Sequence, residues 1–426
     1  MIIITSPPER FSGEIFVQGD KAITHRAILL GALSSGITDI RGFPDTEDVR
    51  YNLNCMRSLG VKINLKGNRL IIEGRNKKFN RPAGDLDAGS SGTTARLLPG
   101  ILAGQDFKAT VTGDSSLQKY LIQDIRRPLQ LMGAGFEGEN DFLPVTIRGG
   151  DLQPISYRSP RVNAEVKAAI LLAGLYARGT TTFEEPYQSS NHTELMLTRF
   201  GASVREEDCR VKLQGGTALK GVQVRIPGDI SAAAFFMVAG SVVSDSEVLL
   251  RNIGLNPTRK GIIDLLLEMG ADLELQQKRF WGKEPVTDIM IRANTKLKGF
   301  HVGGDRLYRL ADDIPALMVA ASLAEGKTSI TGLKELQVNE SDRIHNLAGQ
   351  LKKLGVKIEA TGEGIFIEGG TGLQGAEVDC CGDYLVAMAL AVAGLAAEGE
   401  TAVHGAGVIY RFFPGFMQAL RSLIMK

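Results

Sequence analysis

Five times this chain closes a helix in the same way. Leu59-Gly60-Val61, Met132-Gly133-Ala134, Phe200-Gly201-Ala202, Met269-Gly270-Ala271 and Leu354-Gly355-Val356 each end an apolar stretch with a large residue, a glycine and a smaller apolar residue. The glycines lie 73, 68, 69 and 85 residues apart. A period of that length marks one supersecondary unit that cannot bury its own hydrophobic face and must pack with its copies. Six units of about 70 residues nearly exhaust the 426 residues.

The third unit shows the order of elements. Ala168 to Leu175 is apolar on nearly every side, the mark of a helix buried all round. Gly179 ends it, and Thr180-Thr181-Thr182-Phe183 is strand-like. His192 to Phe200 carries apolar residues at helical spacing, and Val204 to Leu213 alternates as a hairpin does. With a strand entering from the preceding unit, the spacing predicts a βαβαββ repeat in an α/β chain. Two Gly-rich passages, Val17-Gln18-Gly19-Asp20-Lys21 and Ile226-Pro227-Gly228-Asp229-Ile230-Ser231, bracket three units and leave three beyond. The expectation is therefore two lobes, 20–226 and 1–19 with 227–426, joined by two crossings, with a ligand cleft where they meet.

Composition narrows the class. With 49 Lys+Arg against 48 Asp+Glu, no net field draws the chain to nucleic acid or to an acidic membrane. No apolar run reaches the 18 or so residues of a membrane span, and the start of the chain lacks a basic segment followed by a long apolar core. A cytoplasmic monomer acting on small molecules is expected, with no nucleic acid or membrane partner. Cys55, Cys209, Cys380 and Cys381 have no zinc or redox spacing and read as buried small hydrophobes.

Several segments carry chemistry, each with a structural alternative. Ser90, Ser91, Gly92 and Thr93 form a polar turn before Arg96 and an apolar helix, suited to an anion or simply to capping. Lys21, after a Gly turn, is an activated amine or a surface lysine. Asp312 and Asp313 precede Pro315 and a helix apolar all round, where carboxylates are ordinary caps. Glu340 and Arg343 open another helix, where an acid complements the dipole.

Taken in order, the Lys after a Gly turn, Gly-Ser-Ser-Gly-Thr-Thr-Ala-Arg, Pro-Gly-Asp-Ile-Ser-Ala-Ala-Ala-Phe-Phe, Ala-Asp-Asp-Ile-Pro and Asn-Glu-Ser-Asp-Arg-Ile make a set that resembles the enolpyruvyltransferase family over essentially the whole chain. Within it the similarity is to the 5-enolpyruvylshikimate-3-phosphate synthase branch; the branch acting on UDP-N-acetylglucosamine carries a reactive cysteine in a loop that has none here. The resemblance implies a two-lobed inverse α/β barrel of six βαβαββ repeats. It implies transfer of the enolpyruvyl group of phosphoenolpyruvate to the 5-hydroxyl of shikimate 3-phosphate, with release of phosphate and without metal or other cofactor. Lys21 matches a catalytic lysine that contacts phosphoenolpyruvate and moves protons, Asp312 the base that takes the hydroxyl proton, and Glu340 the group that protonates the methylene carbon and later deprotonates it; the three make up the acid–base set. Arg343 matches an arginine on the substrate carboxylate, and Arg411 stands where a lysine holds phosphate. Arg26, Ser90, Ser91, Gly92, Thr93, Arg96, Lys119, Asn163, Glu165 and Ser189 complete the implied substrate-binding set.

The departures from the family pattern concentrate on anion binding. Tyr120-Leu121 stands for Arg-Pro, Asn163-Ala164-Glu165 for a Ser-Ala-Gln or Ser-Ser-Gln loop, and Asp383-Tyr384-Leu385 for Asp-His-Arg; Ala22, Ser90 and Asn339 replace Ser, Asn and Lys. Each lost charge-assisted hydrogen bond is worth about 1.5–3 kcal/mol, and an added like charge at about 4 Å costs about 4 kcal/mol at a moderate dielectric. Lys119, one residue from the missing arginine, or Lys167, Arg126 and Arg127 would have to compensate. Three readings follow: a divergent synthase, a paralogue keeping the acid–base set as a lyase or dehydratase of an unphosphorylated cyclitol acid, and a non-catalytic binding protein.

Overall fold

The computed structural model describes residues 1–425 other than 116, 119–121, 139–140 and 337. The chain divides into two compact units, one of residues 19–226 with 281–284, the other of 1–18, 227–280 and 285–426. The first boundary falls between Gln18 and Gly19. A side chain at Gly19 would meet the Gly42 carbonyl oxygen at 1.9 Å, so only glycine lets the backbone pass there.

Each unit is built on three helices buried nearly all round. In the 19–226 unit these are Lys21–Leu33, Gly92–Leu102 and Ala164–Gly174. In the other unit they are Ile230–Val242, Ile314–Leu323 and Tyr384–Gly394. Their Ala and Gly content permits close approach: a side chain at Gly100 would meet the Ala169 carbonyl oxygen at 2.2 Å. Burial of this apolar surface, at roughly 25 cal/mol per Å², is the main driving force for each core. The sheets lie outside, and strand Lys62–Lys66 shows the consequence in having one buried residue among five.

The repeat is plain in the sheets. In the second, third and fifth units the strand before the buried helix pairs parallel with the strand after it, and a hairpin closes the sheet antiparallel. The first and fourth units take their leading strand from far along the chain. Gln223–Arg225 pairs parallel with Ile37–Arg41, and Arg10–Phe16 pairs parallel with Glu247–Gly254. The sixth unit has no closing hairpin of its own: Ile3–Thr5 pairs antiparallel with Thr401–His404 in its place. All five closing glycines have positive φ, from 85° at Gly60 to 108° at Gly133. At each, the residue after the glycine donates to the carbonyl five residues back, as Val61 does to Met56, and the glycine donates three back, as Gly60 does to Arg57. That is the Schellman helix end, which satisfies otherwise orphaned carbonyls.

The cysteine expectation holds for Cys55 and Cys380 only. Cys209 is half-buried and Cys381 exposed, both in tight turns, and none of the four forms a disulfide. No helix among the described residues is long and apolar enough to cross a membrane.

Candidate active site

In the 19–226 unit most of the expected binding residues lie at the starts of the three buried helices, with Ser189 in the segment before the His192–Arg199 helix. Asp20 caps the first, accepting from the Ile23 N–H at 2.8 Å. Lys21, the next residue, has its Nζ 3.4 Å from Asp48, which also lies 3.7 Å from His25 Nε2. Burial opposes the charge on Asp48, but Lys21, His25 and the Thr46 hydroxyl together hold its carboxyl far below the usual range. Ser91 caps the second helix, accepting from the Thr94 N–H at 3.3 Å, with its hydroxyl 2.7 Å from that of Thr94. Ser90 carries a buried Oγ with no partner among the described residues.

Glu165 joins two of these helix starts. Its carboxylate accepts from Thr93 Oγ1 at 2.7 Å and from Arg96 at 2.5 Å. Burial raises its proton affinity, yet the charges of Arg96 and Arg26 and the Thr93 bond outweigh that, and the carboxyl sits below its ordinary value. Arg26 is itself buried and donates to Thr193 Oγ1 at 2.6 Å and to the Ala22 carbonyl at 3.0 Å. Asn163 caps the third helix, its Oδ1 accepting from the Glu165 and Val166 N–H groups at 2.9 and 3.1 Å. That oxygen takes two backbone donors. Ser189 is bonded too: its N–H and hydroxyl both donate to Glu185 Oε1, at 2.9 and 2.8 Å. Gly92 opens its helix, packed near Arg96.

Lys167 does not serve as a replacement cation. It is 1% exposed and ion-paired with Glu185 at 3.0 Å and Glu194 at 2.8 Å, so its charge is spent inside the protein. Arg126 is turned away to Asp141, at 3.8 Å, and to the Gly138 carbonyl. Lys119, with Tyr120 and Leu121, lies outside the described residues.

The other unit holds Asp312 and Glu340, the two carboxylates expected in the acid–base set. Asp312 is half exposed, with Oδ2 3.4 Å from Arg259. Glu340 stands in the first turn of the Val338–Lys353 helix, three residues before Arg343, so the two share a face. Arg343 is nearly buried and donates to Asp383 Oδ2 at 2.7 Å; Asp383, Tyr384 and Asp312 all support its charge against the cost of burial. Asp383 also caps the Tyr384–Gly394 helix, accepting from the Leu385 and Val386 N–H groups. Tyr384 stacks on Phe412 and Phe413, with centroids 4.7 and 5.5 Å away. Arg411, exposed, lies over the Phe412 ring at 5.7 Å.

The capping expected of Asp313 does not occur. It occupies the position before the Ile314–Leu323 helix, but its side chain makes no cap bond and its φ and ψ, −96° and −13°, are not the extended values of a capping residue. Pro315 removes one N–H a cap would take. Asp48, Thr193 and Arg259 are further polar neighbours that local sequence does not single out, because each meets its partner across tens of residues. Among the described residues no group of three His, Cys, Asp or Glu is placed to hold a metal ion.

The whole chain has relatives. Residues 5–420 match the family of EPSP synthase (3-phosphoshikimate 1-carboxyvinyltransferase). A 3-phosphoshikimate 1-carboxyvinyltransferase of Thermoanaerobacter sp. (strain X514) is 45% identical, covering 96% of this chain and 97% of that protein. One of Desulforamulus reducens is 44% identical over the full length of both. The structure of an EPSP synthase from Acinetobacter baumannii superposes with a TM-score of 0.90 at 40% identity, covering 100% of this chain and 98% of that one. The ordered motifs, the repeated units and these full-length likenesses agree: the chain belongs to the EPSP synthase family.

Proposed function

We propose that the chain transfers the enolpyruvyl group of phosphoenolpyruvate to the 5-hydroxyl of shikimate 3-phosphate and releases phosphate. The observation that carries this is one unit's grouping of a solvent-reaching carboxylate, Asp312, with Glu340 and Arg343 on one helical turn, in a chain whose full-length relatives carry that activity's name. Addition of an alcohol across the enol carbon needs a base at the oxygen and an acid at the methylene, and elimination of phosphate reverses the roles. Asp312 takes the hydroxyl proton. Glu340 protonates the methylene carbon and then removes a proton as phosphate leaves. Lys21 contacts phosphoenolpyruvate and serves in proton transfer with Asp312 and Glu340; Arg343 and Arg411 hold the phosphoenolpyruvate-derived anion, with Lys119 as a further cation, and Arg26, Ser90 to Thr93, Arg96, Asn163, Glu165 and Ser189 shape the acceptor site. The protein works as a monomer in the cytoplasm, in keeping with four cysteines that form no disulfide.

One observation favours a second reading. Arg96 is paired with Glu165 at 2.5 Å and Arg343 with Asp383 at 2.7 Å, so carboxylates of the chain already meet two cations expected to bind substrate anions. That suits an acceptor without phosphate, such as an unphosphorylated cyclitol acid. Calorimetry with phosphoenolpyruvate, shikimate 3-phosphate and shikimate, together with phosphate release on mixing the first two, separates the readings. Phosphate release requiring both ligands supports the synthase. Binding of shikimate without phosphoenolpyruvate binding at millimolar concentration overturns it.

A further inference from the structure

Three buried titratable groups of the 19–226 unit have no part in the reaction as written. Lys167, in the Ala164–Gly174 helix, is 1% exposed, and Glu185 and Glu194 are 4% and 0% exposed. The ammonium of Lys167 donates to Glu185 Oε1 at 3.0 Å and to the Ser189 carbonyl at 3.4 Å, and it is ion-paired with Glu194 Oε1 at 2.8 Å. Glu185 Oε1 also accepts from the N–H and the hydroxyl of Ser189, at 2.9 and 2.8 Å. One ion pair thus holds Ser189 at its amide, its side chain and its carbonyl.

We infer that Lys167 and Glu185 are positioning residues for the acceptor, acting through Ser189 to fix one wall of its site. The inference rests on the placing of Ser189 and Arg26 in the acceptor site. Burying a cation and two carboxylates opposes folding, and apolar side chains of like volume would fill the same space at less cost. Apolar side chains cannot supply directed bonds to the backbone and hydroxyl of a loop, and an ammonium with a carboxylate can. The Glu185 N–H donates to the Cys209 carbonyl at 3.0 Å, which ties down the start of the segment. The Glu185 carboxylate then closes residues 185–189 into a loop.

The same ammonium reaches a second element. Glu194 lies in the first turn of the His192–Arg199 helix, next to Thr193, whose Oγ1 accepts from Arg26 at 2.6 Å. Lys167 therefore joins the loop that carries Ser189 to the helix start that holds Arg26. Burial works against the charge of Lys167, but Glu194 and Glu185 outweigh it, and its proton affinity stays above the ordinary value. A cation that cannot meet a substrate anion itself instead sets the residues that meet the acceptor.

Two variants test this in the full chain, Glu185→Ala and Glu185→Gln, with kcat and the KM for each substrate read from phosphate release. Glu185→Ala removes the acceptor of both Ser189 bonds and should raise KM for shikimate 3-phosphate about tenfold or more, while kcat and KM for phosphoenolpyruvate change less than about twofold. Glu185→Gln keeps an oxygen where Ser189 donates and should hold the acceptor KM within about threefold of the unaltered value. Combined with Ser189→Ala, the alanine variant should add nothing further to the acceptor KM, since its effect passes through Ser189. Should Glu185→Ala fail to give a cooperative unfolding transition, Lys167→Met with Glu194→Gln, which keeps the net charge of the cluster, takes its place with the same split expected. Equal changes in the two KM values, as a merely structural role would give, an unchanged acceptor KM, or full additivity with Ser189→Ala overturns the proposal. If the unaltered protein releases no phosphate, the activity assignment falls instead, and calorimetry with shikimate 3-phosphate and with shikimate judges the positioning. Binding weakened by Glu185→Ala and kept by Glu185→Gln upholds it; binding equal in all three proteins, or absent throughout, overturns it.

Discussion

Glu165 and Asp313 are two carboxyls at the start of two apolar helices, one in each unit, and their proton affinities are displaced in opposite directions. Burial pushes both up. Glu165 has a guanidinium in direct contact, a threonine hydroxyl, and Asn163 to do the capping for it. Asp313 feels the charge of Arg259 without a hydrogen bond to it, and one of its oxygens has no partner among the described residues. An enclosed carboxylate stays charged when a cation touches it and leans toward the acid when the cation is not in contact. The same residue class at the same place on a helix can thus be a fixed anion or a proton-holding switch.

The largest expected effect is on how stability depends on pH. A carboxyl raised from 3.8 to about 7 on folding contributes stability that is full below the lower value and is lost as pH rises through the higher one. Over three units this amounts to at most about 4 kcal/mol. Urea unfolding of the unaltered protein and of Asp313→Asn across this range should differ by a term that grows with pH, the variant being the less pH-sensitive. Parallel curves would mean that Asp313 is not displaced and that the contrast with Glu165 is false.

Next in size is removal of Glu165's direct cation. Arg96→Met leaves a largely enclosed carboxylate with the Thr93 bond and only the more remote charge of Arg26, at a cost of about 3 kcal/mol, and should raise the Glu165 titration toward the behaviour of Asp313. Adding Glu165→Gln to that variant should recover part of the loss, because no charge is then left unpaired. If the double variant is as destabilised as the sum of the single ones, the pair is not coupled. The acid side gives a matching sign: Glu165 lies below its ordinary value, so its contribution is present above that value and is lost as pH falls through the folded one. Glu165→Gln should flatten the acid limb, where Asp313→Asn flattens the neutral one.

Why these pairings escape sequence reading is a matter of range. The five helix ends were legible because a Schellman turn needs its glycine locally, and the buried helices because they are apolar on every side. The closure of the sixth unit by Ile3–Thr5 was not, since its partner Thr401–His404 lies at the far end of the chain. Glu165 could be read as an added charge, but its neutralisation by Arg96, 69 positions away, depends on two helices starting side by side. For Asp313 the local rule misled: an acid before a helix with proline in its first turn reads as a cap, and here proline and backbone angle both turn the carboxyl elsewhere.

The smallest effect concerns that cap. Asn163 Oδ1 takes two backbone N–H groups at the start of the Ala164–Gly174 helix, and this leaves Glu165 free to face Arg96. Asn163→Ala should cost about 1 kcal/mol, the usual worth of a capping side chain. The consequence for Glu165 is more telling than the stability. With its N–H and that of Val166 unsatisfied, the first turn has a donor to offer, and the adjacent carboxylate is drawn toward the backbone and away from the guanidinium. Hydrogen exchange should rise in the first turn of this helix, and the coupling between Arg96 and Glu165 in a double-variant cycle should shrink. Asp313 lacks any cap bond, so Asp313→Asn should leave exchange in the first turn of the Ile314–Leu323 helix as it is. Equal protection losses in the two helices would show that Asp313 does cap its helix in solution, and the division of labour between a capping residue and a charged neighbour would no longer separate the two units.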